Sequence, residues 1–153
     1  MASDAELKLD NQICFALYAA SRAMTSVYRP VLEQLGLTYP QYLVMLVLWE
    51  QDALRVREIG ARLHLDSGTL TPLLRRLEGT GLIQRARRAK DEREVEVSLT
   101  TAGKRLKQRA ANVPGRIMCL TGLPIKELAA LRDDVKKLLC DLTNATDTKG
   151  SKS

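Results

Sequence analysis

The rhythm of apolar and polar positions changes several times along this chain, and each rhythm predicts an element. From Leu9 to Leu35, Ile13, Leu17, Ala20, Met24, Val27 and Val31 recur every three or four residues, the stripe of a one-sided helix. Pro30 lies inside that stretch and is expected to kink or split it. Gly36-Leu37-Thr38-Tyr39 interrupts the pattern, and Pro40 suits the first turn of a second helix reaching about Gln51. Its segment Y-L-V-M-L-V-L-W is apolar nearly all round, which predicts burial. A short connection follows at 52–55, with room for a small strand. Residues 57–64 then predict a third helix with Ile59 and Leu63 facing inward.

From Asp66 the pattern sharpens. Asp66 or Ser67 can cap a helix start by accepting a free backbone N–H. Leu70, Leu73, Leu74 and Leu77 fall on one face, and the opposite face carries Gly68, Thr71, Pro72, Arg75 and Arg76. Past Gly79 and Gly81 the period drops to two, with Val95, Val97 and Leu99 alternating with Glu94, Glu96 and Ser98. Two short helices, a tight turn and a basic hairpin make a winged helix-turn-helix.

Beyond the hairpin, Thr100 is expected to cap a helix from Thr101 to about Val113, disturbed at Pro114-Gly115. Leu106, Ala110, Val113, Ile117 and Leu120 keep a regular spacing across that break. Leu123-Pro124 opens a last helix, in which Leu128, Leu131, Val135, Leu138 and Leu142 form a seam suited to another helix. The lead-in 1–8 and the tail from Thr146 are polar and expected to be loose. The chain thus reads as one domain over 1–153, mainly α with a small β-wing. Residues 40–99 form the winged helix-turn-helix, and 9–35 and 101–143 form the flanking helices, whose apolar faces favour dimerisation over exposure.

Composition narrows the partners. A net charge of +6 and a pI near 9.4 favour an anionic partner, nucleic acid or a membrane surface. The longest apolar run, Leu43 to Trp49, is too short to span a bilayer, so no membrane partner is expected. Three widely spaced cysteines without a signal peptide suggest a reducing, cytoplasmic setting. With one His and no paired-Cys spacing, neither a metal site nor a cofactor is expected.

Charge within the chain points to duplex DNA. Residues 75–93 carry seven Lys or Arg against three acids, a net charge of +4. Phosphate neutralisation needs such a cluster, and a helix with a small, basic outer face fits the major groove. The candidate DNA contacts are Ser67, Thr69, Thr71, Pro72, Arg75 and Arg76 on the helix, with Arg85, Arg87, Lys90, Asp91 and Arg93 on the wing. Asp91 is close enough in sequence to hold the Arg93 guanidinium.

The string L-D-S-G-T-L-T-P-L-L-R-R-L-E, then G-L-I-x-R-x-R-x-x-x-D-E-R and V-S-L-T-x-x-G, resembles the MarR-type winged-helix regulators over residues 9 to 142. The resemblance implies a symmetric dimer on a pseudopalindromic operator, repression as the commoner mode, and no enzymatic activity. N-Q-I-C-F-A-L-Y, with T-Y-P-Q-Y later, is similar to the organic-hydroperoxide-sensing, OhrR-like branch. That likeness implies that Cys14 is the peroxide-reactive thiol, supported by Tyr28 and Tyr39, with Tyr18 in the same motif. It also implies that a C-terminal cysteine of the other subunit resolves the oxidised thiol. Cys119 is the candidate and Cys140 its rival.

Helix geometry adds a condition. Tyr28 lies roughly 21 Å from Cys14 along a straight helix, so a Tyr28 that touches Cys14 belongs to the partner subunit. The thiolate is the reactive form, which a helix start and Tyr hydroxyls can stabilise. Phe15, Leu17 and Met45 would supply an apolar surround. Other classes remain open at this stage. One is a MarR-type regulator released by a small aromatic ligand, with incidental cysteines. The others are a thiol peroxidase, disfavoured by the lack of a C-x-x-C motif, and an architectural DNA binder indifferent to oxidation.

Overall fold

The structure, a computed structural model, describes residues 4–150. It divides into two compact units, Met1–Pro114 and Gly115–Ser153. Residues 1–3 of the expected lead-in and 151–153 of the expected tail lie outside the described residues.

In the first unit a short 3-10 turn, Leu9–Asn11, precedes α1 (Ile13–Glu33). The helix therefore starts four residues later than the stripe suggests. Gln12 is extended, and its side-chain amide is spent on the Glu6 and Lys8 carbonyls. Pro30 does not split the helix. It stands in the last turn, where only the Ser26 carbonyl loses its donor. Thr38 and Gln41 form a reciprocal capping box that starts α2 (Tyr39–Glu50). As expected for its composition, α2 runs through the core, with Tyr42, Val44, Met45, Val47 and Leu48 buried.

Strand β1 (Leu54–Arg55) leads directly into α3 (Val56–Leu63). Ile59 is buried and Leu63 half-buried; His64 ends the helix in the left-handed region, at φ 53°. The turn is tight because Gly60 approaches the Leu65 carbonyl: a Cβ there would stand 2.8 Å from that oxygen. Asp66, rather than Ser67, caps α4 (Ser67–Gly79), its carboxylate accepting the Thr69 N–H at 2.7 Å. Leu70, Leu73, Leu74 and Leu77 are all buried. Each contributes about 1.5–3 kcal/mol to folding.

The wing is β2 (Ile83–Arg88) and β3 (Asp91–Leu99). The sheet is antiparallel in the order β1-β3-β2, with Leu54 opposite Val97 and Ile83 opposite Leu99. The register jumps between Arg87, opposite Val95, and Arg88, opposite Asp91. This irregularity re-aims the tip. Thr100 caps α5 (Thr101–Ala110), its hydroxyl accepting the Gly103 N–H at 3.1 Å. Gly103 is where the wing and α5 close on one another: an added Cβ would lie 2.1 Å from the Leu82 carbonyl oxygen. The Gly103 carbonyl accepts the Trp49 indole N–H at 2.9 Å.

Helix α5 ends earlier than expected, at a turn over Ala111 and Asn112. Pro114-Gly115 is not the break; it lies in the first turn of α6 (Val113–Thr121), where a missing N–H disrupts nothing. Leu106, Ala110, Val113 and Ile117 are buried, whereas Leu120 is exposed.

In the second unit Gly122 turns the chain at φ 62°, and α7 runs over Ile125–Gly150, carrying helix through the stretch expected to be loose from Thr146. The seam residues Leu131 and Leu142 are 58% and 56% exposed. Among the described residues, no helix is long and apolar enough to cross a membrane.

Candidate nucleic-acid interface and candidate thiol site

The outer face of α4 presents Ser67, Thr69, Pro72, Arg75 and Arg76 to solvent, with Thr71 half-buried. These residues point outward because the four leucines claim the inward face. Arg75 and Arg76 make no ion pair with any described residue. Thr69 is partly committed, its hydroxyl lying 3.3 Å from the Asp66 carboxylate. Capping by Thr69 holds the Asp66 carboxyl below its usual range, so Asp66 adds negative charge at the helix start.

The wing divides its cations differently from their order in the sequence. Arg87, Lys90 and Arg93 are exposed. Arg85 is turned back onto Glu78 at the end of α4: Nη2 reaches Oε2 at 2.7 Å, Nε at 2.9 Å, and the Arg85 backbone N–H donates to Oε1 at 3.0 Å. These bonds hold the Glu78 carboxyl below its ordinary value. Arg85 is thus a clasp between wing and helix. Asp91 also departs from expectation, because it accepts the Arg93 backbone N–H at 3.0 Å rather than its guanidinium. The acid shapes the tip's backbone and leaves the side chain to point outward.

Arg57 at the start of α3, absent from the sequence-based set, is 68% exposed and pairs with Glu94 at 2.9 Å. A cleft of about 700 Å³ lies between α3, α4 and the wing, with Ser67, Thr71, Arg57 and Arg93 in its walls and Leu70, Leu74 and Val95 in its lining.

The thiols lie elsewhere. Cys14 is the second residue of α1, exposed and inside the first turn, where the helix dipole favours an anion. Around it Ile13, Phe15 and Tyr18 are exposed too, so the first half of the apolar stripe has no cover within the chain. Met45, expected in the surround, is instead fully buried on α2. Tyr28 and Tyr39 meet edge to face with ring centroids 5.0 Å apart, and Tyr42 joins them 6.1 Å from Tyr28. Burial raises the Tyr28 pKa above 10.0, with Tyr39 adding to the rise, and burial alone raises that of Tyr39. Both phenols therefore stay protonated donors at neutral pH. Tyr18 is outside that cluster, its ring under the Arg22 guanidinium at 5.4 Å. Tyr42 escapes sequence reading because it sits inside a helix apolar on every side.

Cys119 is exposed on α6, between the turn at Ala111-Asn112 and the one at Gly122. Cys140 is exposed within the unbroken α7, with the Asn144 amide 3.7 Å from its sulfur. Among the described residues, no group of three or more His, Cys, Asp or Glu is placed to hold a metal ion.

The family Transcriptional regulator SarA/Rot matches residues 26–110. The chain is 50% identical over 133 residues to the organic hydroperoxide resistance transcriptional regulator of Bacillus subtilis, covering 87% of this chain and 90% of that protein. It belongs to the MarR/OhrR-type winged-helix regulators. Among solved structures, reduced AbfR bound to DNA superposes with a TM-score of 0.76 at 35% identity, over 90% of this chain and 96% of that one. AbfR is a protein of Staphylococcus epidermidis. Its disulfide-formed structure gives 0.61 at 36% identity, over 88% and 95%. Membership accounts for the fold: mostly helices, a three-stranded antiparallel sheet and a winged helix-turn-helix. It also makes this MarR/OhrR-type protein a transcriptional regulator and not an enzyme.

Proposed function

We propose that two copies of this chain form a repressor that binds a pseudopalindromic duplex and lets go when an organic hydroperoxide oxidises Cys14. The observation that carries this reading is the position of Cys14, exposed in the first turn of α1 in a chain half identical to a hydroperoxide resistance regulator. Reduced AbfR is a DNA-bound relative of the same fold, and the disulfide form of AbfR supports a thiol switch. The uncovered apolar faces of α1 and α7 supply a dimer surface, and a reducing cytoplasm keeps the thiol ready.

In the proposed reaction the Cys14 thiolate attacks the outer peroxide oxygen and the O–O bond breaks. The alkoxide leaves as an alcohol with a proton, and Cys14 becomes a sulfenic acid. The Cys119 thiol of the other subunit then attacks that sulfur, forming the disulfide and releasing water. Tyr28 of the partner and Tyr39 donate hydrogen bonds to the starting thiolate, consistent with their raised pKa values. Cross-linking moves the two α4 helices off the spacing of successive major grooves, about 34 Å. The outward faces of α4 and the wing tip are the DNA contacts.

Fluorescence anisotropy of a duplex from the protein's own promoter, with and without cumene hydroperoxide, tests the whole reading. Wild type should release the duplex on oxidation and Cys14→Ser should hold it. Release from Cys14→Ser would transfer the switch to a bound aromatic ligand or another residue.

A further inference from the structure

Glu94 sits at the base of the wing with only 21% of its side chain exposed, surrounded by arginines from different elements. Arg55 from β1 reaches it at 3.2 Å, Arg57 from α3 at 2.9 Å, and Arg88 from β2 at 3.8 Å. Two further acids complete the chain of charges: Glu58 takes Arg55 at 3.0 Å and Glu96 takes Arg88 at 3.0 Å. Three arginines and three glutamates are thus closed on one another, with Glu94 in the middle. It lines the same cleft as Ser67, Thr71 and Arg93.

A carboxylate that gathers guanidinium groups from separate elements occupies them as a phosphate would. Arg57 and Arg88 are both substantially exposed at their outer edges, so they are near enough to solvent to serve a phosphate if released. While Glu94 holds them, they add nothing to sequence-independent attraction. Sequence-independent attraction grows with each phosphate neutralised, whereas discrimination comes from base-edge contacts on the recognition helix.

Resting on the proposed DNA binding, we propose that Glu94 is a specificity-determining residue of this regulator. It sequesters Arg57 and Arg88 from DNA phosphates and so holds down affinity for non-specific duplex. Removing its charge while keeping its shape releases both arginines. The duplex then gains phosphate contacts that carry no sequence information.

The test uses the full-length protein and a mixed-sequence duplex of about three helical turns, roughly 30 bp. Binding is followed by anisotropy between about 50 and 200 mM salt. Glu94→Gln should bind this duplex several-fold more tightly, with a salt slope steeper by about 1–2, because each added phosphate contact contributes about 0.9. Arg57→Gln should cost about one unit of slope in the Glu94→Gln background and little in the wild-type background. This non-additivity would not arise if Glu94 merely supported the fold. Unchanged or weaker binding by a folded Glu94→Gln protein overturns the proposal. If that variant does not fold, Arg57→Gln in the wild-type chain decides: a full unit lost shows that Arg57 was never sequestered. A wild type that ignores duplex at every salt concentration instead refutes the DNA-binding reading itself.

Discussion

Arg85 and Glu78 are joined through three hydrogen bonds, two from the guanidinium and one from the Arg85 backbone N–H. The pair ties β2 to the end of α4, so the wing and the recognition helix move together. A cation bound in this way is not available to phosphate. Arg85→Gln should therefore leave the salt slope of duplex binding within experimental error, while lowering thermal stability by a few degrees through the lost clasp. A slope smaller by about 0.9 would return Arg85 to the set of phosphate contacts.

Much of this arrangement is legible in the amino-acid sequence, for identifiable reasons. The four leucines of α4 and the Thr100 cap are local signals, and local geometry decides them. The all-apolar segment of α2 could only be buried. Ion pairing is different in kind. Arg85, Arg87 and Arg88 look equivalent in sequence, yet Arg85 faces Glu78, and Arg88 faces Glu94 and Glu96. Their partners depend on strand register, and the register shift beside Arg88 cannot be read from alternation alone. Asp91 likewise misleads, since a short side chain two residues away serves the backbone amide of Arg93 more easily than its guanidinium. Pro30 looks disruptive by identity and is harmless by position. The stripe of α1 shows that a face must be covered, and its exposure here shows that residues of the same chain do not cover all of it.

Acid should loosen the wing's attachment in a definable window. Side-chain hydrogen bonds from Arg55, and then its backbone N–H, hold the Glu58 carboxyl down from 4.5 to about 2. A depressed carboxylate stabilises the fold fully above its unfolded value, and this contribution is lost as pH falls through its folded value. Wild type should lose that contribution between about pH 4.5 and 2. Glu58→Gln should be less stable than wild type at neutral pH, and the difference should shrink towards zero across the window. Urea midpoints followed by circular dichroism at a series of pH values measure the difference. A constant gap at every pH would show that the ion pair does not matter.

Gly103 predicts a larger effect from a smaller change. Its missing side chain lets the first turn of α5 lie against the Leu82 carbonyl, and an added Cβ at 2.1 Å would meet backbone that cannot rotate away. Overpacking of this kind costs about 1–3 kcal/mol or more. Gly103→Ala should lower the melting temperature by roughly 10 °C, given about 2–4 °C per kcal/mol at this size. Gly79→Ala serves as the control, because nothing lies within 4 Å of the Cβ built there. Equal melting temperatures for the two variants would mean that α5 can shift freely at the wing, contrary to the contact drawn here.

The seam of α7 joins the dimer to the output. Leu131 and Leu142 lie exposed along a helix of 26 residues, at a spacing that suits a second helix better than water. If that second helix comes from another copy, Leu131→Glu places a charge in the seam without touching the buried leucines of α4. Sedimentation equilibrium should then show the monomer at concentrations where wild type is dimeric. A lone reading head reaches one half-site, so its salt slope on duplex should fall to about half the wild-type value. Circular dichroism should remain that of a folded helical protein. A variant that stays dimeric with an unchanged slope would move the subunit contact to α1 alone, leaving the α7 seam without a role in spacing the two heads.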